Sequence, residues 1–145
     1  MLPFTALIYG TLAAGAAFLL EILFLTGLSL GLITFIGGAL IEESMKLLFL
    51  FQYRKRFHAS MPSSIPLQLL FFTLFGIGFA LVEISLALPP DIGTLFALAG
   101  IHTCTSLLLG YALLARTLSP IFLPAGLMLA TGVHAAYNLL VASLQ

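Results

Sequence analysis

Glu42, Glu43, Lys46, Glu83, His102 and His134 all stand inside apolar stretches of a 145-residue chain. A charged group in bilayer hydrocarbon costs from ~2.5 to more than ~10 kcal/mol, so such residues face a protein interior and mark function. Their types suit one kind of chemistry. Two adjacent carboxylates do not both ionise easily, so one keeps a proton and serves as acid or base. A neutral imidazole accepts or delivers a proton near pH 7. His134 and Asn138 lie one helical turn apart and supply donors for a developing oxyanion. Together these groups suit activation of a water molecule and hydrolysis of a carbonyl compound. The chain contains no GxSxG and no HExxH motif, and no Ser-His-Asp arrangement is recognisable. Glu43, Glu83, His102 and His134 also suit Zn²⁺, whose protein ligands are carboxylate and imidazole as well as thiolate. At this level a metal-free and a metal-assisted hydrolysis both stay open.

The solvent these residues need follows from composition. The chain is 61% hydrophobic and 7% charged, against about 25% charged in a soluble domain. Mean hydropathy is +1.21. Water is therefore not the main solvent, and the bilayer is the first partner. Zero formal net charge argues against nucleic acid. The single cysteine, Cys104, excludes an internal disulfide and a Cys-based metal framework. It sits beside small residues and reads as core filling.

Five apolar runs predict an all-α integral membrane bundle, one transmembrane domain over residues 1–145. The expected spans are Phe4–Leu25, Gly27–Phe51, Leu67–Leu88, Ile92–Thr117 and Pro120–Val141. Each holds about 20 or more residues, enough to cross ~30 Å of hydrocarbon. The first has no Lys/Arg before it and reads as a retained span rather than a signal peptide. Arg54, Lys55, Arg56 and Arg116 fall at one end of the bundle, and the connections at the other end carry only Asp91. The positive-inside rule then puts the N-terminus in the cytoplasm and the C-terminus outside.

Depth can be counted along these spans. At 1.5 Å per helical residue, Glu83 and His134 fall about 9 Å below the outer face, Glu43 about 14 Å and His102 about 16 Å. Four residues on four helices thus share one layer. Lys46 is i,i+3 from Glu43 and i,i+4 from Glu42 and can reach either carboxylate. Thr105 and Ser106 lie one turn beyond His102. Gly76 and Ala80 share a stripe with Glu83, where small residues let a neighbouring helix approach. Plainer readings exist for each residue. A lone membrane histidine is usually an interhelical hydrogen-bond partner, and Glu42-Glu43 with Lys46 can be a neutralised structural pair. Glu21 is expected near the outer interface and His58 in solvent. Phe71, Phe72, Phe75 and Phe79 read as lipid-facing or packing residues.

Four motifs resemble a known family. Glu42-Glu43-Ser44-Met45-Lys46 looks like an EExxK signature, and Gly76-Ile77-Gly78-Phe79-Ala80-Leu81-Val82-Glu83 like GxGFAxxE. His102, with Gly110 eight residues on, and His134-Ala135-Ala136-Tyr137-Asn138 look like the third and fourth blocks. Their order over residues 37–138 resembles the PrsW-type intramembrane proteases, relatives of the CAAX-processing proteases. The resemblance implies a glutamate-dependent endopeptidase, often grouped with metalloproteases, in the plasma (inner) membrane of a prokaryote. Its substrate would be a transmembrane protein or peptide. Glu42 or Glu43 would be the general base, Glu83 and His102 would position water, and His134 and Asn138 would hold the oxyanion. Lys46 would support them. Glu83 stands where the CAAX-processing relatives carry histidine, and Lys46 where they carry arginine one position later. Both departures favour the PrsW branch.

Two other classes compete with a protease. A small proton or ion carrier would use the same Glu/His/Lys set, but needs polar groups through the full membrane depth. A catalytically silent membrane binding protein would keep the set for structure. Gly37, Gly38, Ala39, Ala97 and Gly100 permit tight helix contacts within one copy or in a homo-oligomer.

Overall fold

Each apolar run folds as one α-helix, and no strand forms among the described residues. The computed structural model describes residues 2–27, 31–57, 59, 61, 64–86 and 92–144. The helices are α1 (Leu2–Leu25), α2 (Leu32–Phe57), α3 (Ile65–Leu86), α4 (Ile92–Ala115) and α5 (Phe122–Ser143). Four of them, α1, α3, α4 and α5, are long and apolar enough to cross a membrane. The 26 residues of α2 give it ample length, but Glu42, Glu43 and Lys46 interrupt its apolar character. Those three side chains are turned inward, so α2 belongs to the same membrane bundle while lacking the hydropathy of its neighbours.

The ends of α2 correct the expected limits of Gly27–Phe51. Gly27 has φ +92°, a left-handed conformation that stops α1, and α2 begins only at Leu32. It then continues six residues beyond Phe51, because nothing from Gln52 to Phe57 breaks a helix. Arg54, Lys55 and Arg56 in its last turn also complement the helix dipole. α3 starts at Ile65, with Pro66 in the first turn where its missing N–H costs nothing. α4 stops at Ala115 and α5 starts at Phe122, each within two residues of expectation. His58, Asp91 and the expected end of the third span at Leu88 lie outside the described residues.

Around the bundle the order is α1, α3, α4, α5, α2 and back to α1, with α2 also touching α4 across the middle. Glycine makes these contacts close. A Cβ on Gly10 would collide with the backbone of Phe75, and one on Gly78 with the backbone of Leu7, so α1 and α3 meet backbone to backbone. A Cβ on Gly76 would lie 2.7 Å from the His102 carbonyl oxygen, which brings α3 against α4 beside the key imidazole.

Small residues line several of the helix contacts while many large apolar ones face outward, as expected where the solvent is hydrocarbon. Ala6, Ala13, Ala17, Ala39 and Ala130 are buried, while Leu23, Ile33, Phe96 and Met128 are exposed. Towards the end of the bundle that carries Arg54 and Arg116, the interior is filled by Leu50, Phe72, Phe75, Leu109 and Leu113. Tyr9, Tyr53, Phe57 and Phe71 pack edge-on or tilted near the same end. The four phenylalanines of α3 are therefore packing residues, all buried. Cys104 is exposed on the outer face of α4, which corrects its reading as core filling. The buried face of α4 runs through His102, Thr105, Ser106 and Leu109, and Cys104 falls off that stripe.

Candidate active site

Lys46 sits at the centre of the polar layer, fully buried. Its position on α2 follows from one turn of helix: Nζ donates to Glu43 Oε1, three residues earlier, at 2.6 Å. The other two donors cross to α4, reaching His102 Nδ1 at 2.8 Å and Thr105 Oγ1 at 3.0 Å. An ammonium has three N–H groups, so Lys46 is fully satisfied. Its charge also lies 4.4 Å from the centre of the Phe79 ring on α3, within cation–π range.

These bonds assign the histidines. His102 accepts from Lys46 at Nδ1, so its Nε2 carries the hydrogen and donates to Glu83 Oε2 on α3. Both ring nitrogens are committed. His134 on α5 donates from Nδ1 to Glu43 Oε1 at 2.7 Å, which leaves Nε2 as a free lone pair. A single path of hydrogen bonds therefore joins Glu83, His102, Lys46, Glu43 and His134 across four helices. The two imidazoles lie 5.1 Å apart, edge to face.

Glu42 stands outside that path. Its Oε2 is 3.8 Å from His134 Nε2 and 4.0 Å from His102 Nδ1. Glu42 Oε2 and His134 Nε2 are both buried and carry no protein hydrogen-bond partner. Two facing acceptors at this distance are too far apart to bond directly and are spaced for one small donor, such as a water molecule. Glu43 Oε2, Ser106 Oγ and Thr131 Oγ1 are also buried without a partner.

Two cavities flank the layer. One, of about 60 Å³, lies between α1, α2 and α3 and is lined by Glu21, Glu42 and Glu83 among apolar residues such as Ala14 and Ala17. That volume holds more than one water. The other, of about 360 Å³, is lined by Glu83, Thr94, Tyr137 and Asn138, with Phe35 and Leu98. Glu83 is common to both, and its side chain is 37% exposed.

Of the residues singled out by spacing, the structure brings Glu42, Glu43, Lys46, Glu83, His102 and His134 into one cluster. Asn138 lies one turn from His134, half-buried on the wall of the larger cavity rather than inside the hydrogen-bonded path. Glu21 is placed differently from its expectation near the outer interface. It lines the smaller cavity together with Glu42, close enough for the two carboxyls to interact. A signal for this existed in the sequence: Ala14, Ala17 and Glu21 share one helical stripe. Gly38 on α2 leaves room for the carboxyl, for a Cβ there would stand 3.4 Å from Glu21 Oε1.

The donor set was tested against a metal ion. Glu42, His102 and His134 each offer one ligand atom, all within 4.8 Å of one another. The third atom is unsuitable as arranged, because His102 Nδ1 already accepts from the Lys46 ammonium. The expected set of Glu43, Glu83, His102 and His134 fits less well. Glu43 Oε1 is held by Lys46 and His134, and Glu83 Oε2 by His102. Of Glu42, His102 and His134, Glu42 Oε2 and His134 Nε2 stand free, fewer than the three protein ligands of a catalytic zinc site, and Glu43 Oε2 is a further buried carboxylate oxygen without a partner. No protein-family model, no curated protein and no solved structure matches the chain.

Proposed function

We propose that this protein is an intramembrane endopeptidase of PrsW type, hydrolysing a peptide bond in or near a transmembrane segment. The observation that carries the reading is the unpartnered pair Glu42 Oε2 and His134 Nε2, 3.8 Å apart and buried, with Glu43 behind the imidazole. A water held between them would donate one hydrogen to each. As its oxygen attacks the scissile carbonyl carbon, one water proton passes to Glu42 or to His134. The Glu43 carboxylate fixes the His134 tautomer and stabilises an imidazolium if it forms. The abstracted proton then goes to the leaving nitrogen as the C–N bond breaks. Asn138, on the wall of the larger cavity, supplies an amide donor near the site for the oxyanion. That cavity reaches Glu83 and is the path by which a substrate strand would enter. Lys46 and His102 act as positioning residues, holding Glu43 and Glu83 in place. In this reading the basic end of the bundle faces the cytoplasm of a prokaryotic cell, as the charge asymmetry suggests.

A second reading has its own support. The path from Glu83 to His134 is a continuous set of exchangeable protons, which a proton carrier would use. It runs within one layer, however, and fully buried Leu50, Leu109 and Leu113 lie between that layer and the basic end. The deciding experiment reconstitutes the protein in vesicles with a library of membrane-anchored reporter peptides. Wild type should cleave a subset, and Glu42→Gln should lower the rate at least 100-fold with unchanged thermal unfolding. Proton flux without cleavage would replace this assignment by the carrier.

A further inference from the structure

At the far end of the bundle from the polar cluster, α2 and α4 end side by side around a cavity of about 320 Å³. It is lined by Arg54, Lys55 and Arg116 with Phe51 and Thr117. Two of the three cations are held in place. Arg54 Nη1 donates to the Leu113 carbonyl oxygen at 2.6 Å, and the Arg116 guanidinium stacks on the Phe51 ring at 4.8 Å. Among the described residues no carboxylate pairs with them. Of its five acidic residues, Glu21, Glu42, Glu43 and Glu83 belong to the polar layer, and Asp91 falls between Leu86 and Ile92, beyond the opposite end of α4. Three cations around one cavity therefore await an anion from outside, and guanidinium forks match the oxygens of a phosphate.

Phe51 also belongs to a second, adjoining cavity. This groove, of about 310 Å³, runs up α2 against α5 and is lined by Leu47, Leu48, Leu123 and Leu127. A cationic pocket at a helix end that leads into an apolar groove along the membrane-crossing surface has the shape of a phospholipid, headgroup and chain. We propose that this end of the bundle is a binding site for an anionic phospholipid. Its phosphate lies among Arg54, Lys55 and Arg116, and an acyl chain occupies the groove beside Leu48 and Leu127. The site is separate from the polar layer and does not depend on the peptidase assignment.

The experiment measures lipid binding by native mass spectrometry and by the thermal unfolding midpoint, on the full chain in a neutral detergent. Phosphatidylglycerol should bind and raise the midpoint, and phosphatidylcholine should do so far less. Each cation near a membrane surface contributes about fivefold in affinity for anionic lipid. Arg116→Gln and Lys55→Gln should therefore each weaken phosphatidylglycerol binding about fivefold, and the double variant about 25-fold. Arg56→Gln removes the same charge from a residue that does not line the cavity, and should change binding less than twofold. Leu127→Trp, which fills the groove, should weaken the lipid and leave inorganic phosphate unaffected. Equal losses in Arg56→Gln and Arg116→Gln would reduce the effect to general attraction and overturn the site. Inorganic phosphate binding as tightly as phosphatidylglycerol would overturn the lipid as its ligand.

Discussion

The two halves of this bundle solve the same packing problem in opposite ways. In one, Glu43, Lys46, His102, Thr105 and His134 are completely buried and knitted by hydrogen bonds from four helices. In the other, Leu50, Phe72, Phe75, Leu109 and Leu113 are equally buried and touch one another through carbon alone. An apolar core tolerates substitution by residues of similar volume, because dispersion is non-directional. A buried ionic network does not, because losing one member strands the rest. The difference teaches where the molecule concentrates its constraint. One half can be repacked, and the other holds the buried carboxylate, ammonium and imidazole groups, Glu43, Lys46, His102 and His134.

The same replacement placed in each half tests this most sharply. Lys46→Met should destabilise the protein by about 3–5 kcal/mol, since it leaves the buried Glu43 carboxylate without its counter-charge and His102 Nδ1 without its donor. Leu113→Met should cost less than about 1.5 kcal/mol. Reversible unfolding in mixed micelles reads both, and similar losses would erase the distinction between the halves. Glu43→Gln should follow, at about 2–4 kcal/mol, because it leaves a buried ammonium without its counter-charge. Glu42→Gln should leave stability nearly unchanged, since Glu42 Oε2 has no protein partner to lose. Gly76→Ala is next, at about 1–3 kcal/mol, by overpacking the α3–α4 contact at the His102 carbonyl. Ser106→Ala should be as mild as Glu42→Gln, within about 0.5 kcal/mol, because its buried hydroxyl has no partner. A large loss there would mean that Ser106 belongs to the network.

The helices and the layer of polar residues were legible because both depend on position along the chain. Hydrophobic length defines a span, and counting from its ends gives depth. Rotation about each helix axis was harder to read. Glu21 counts out near the membrane surface, yet α1 turns it onto Glu42. The stripe Ala14, Ala17, Glu21 held that information, but small residues alone do not name the helix they meet. Cys104 failed for the same reason: it is two residues from His102, which on a helix points it elsewhere. The limits of α2 were misjudged because charge at Arg54–Arg56 reads as a loop when hydropathy is the guide. Arg and Lys are good helix formers, so the helix runs on through them. The partner of each histidine nitrogen lay beyond sequence, since it depends on which side of Lys46 each ring approaches.

The order of helices around the bundle also bears on how the chain enters the membrane. Glu43 shares a helix with Lys46, while His102 and Thr105 on α4, which bond Lys46, and His134 on α5, which bonds Glu43, follow later in the sequence. His134 trails Lys46 by about 90 residues, on the order of ten seconds of ribosome time. During that interval the polar face of α2 lacks the groups that satisfy it in the folded bundle. The polar face of α2 is therefore completed only by helices made well after it, and burial of the network waits for both α4 and α5.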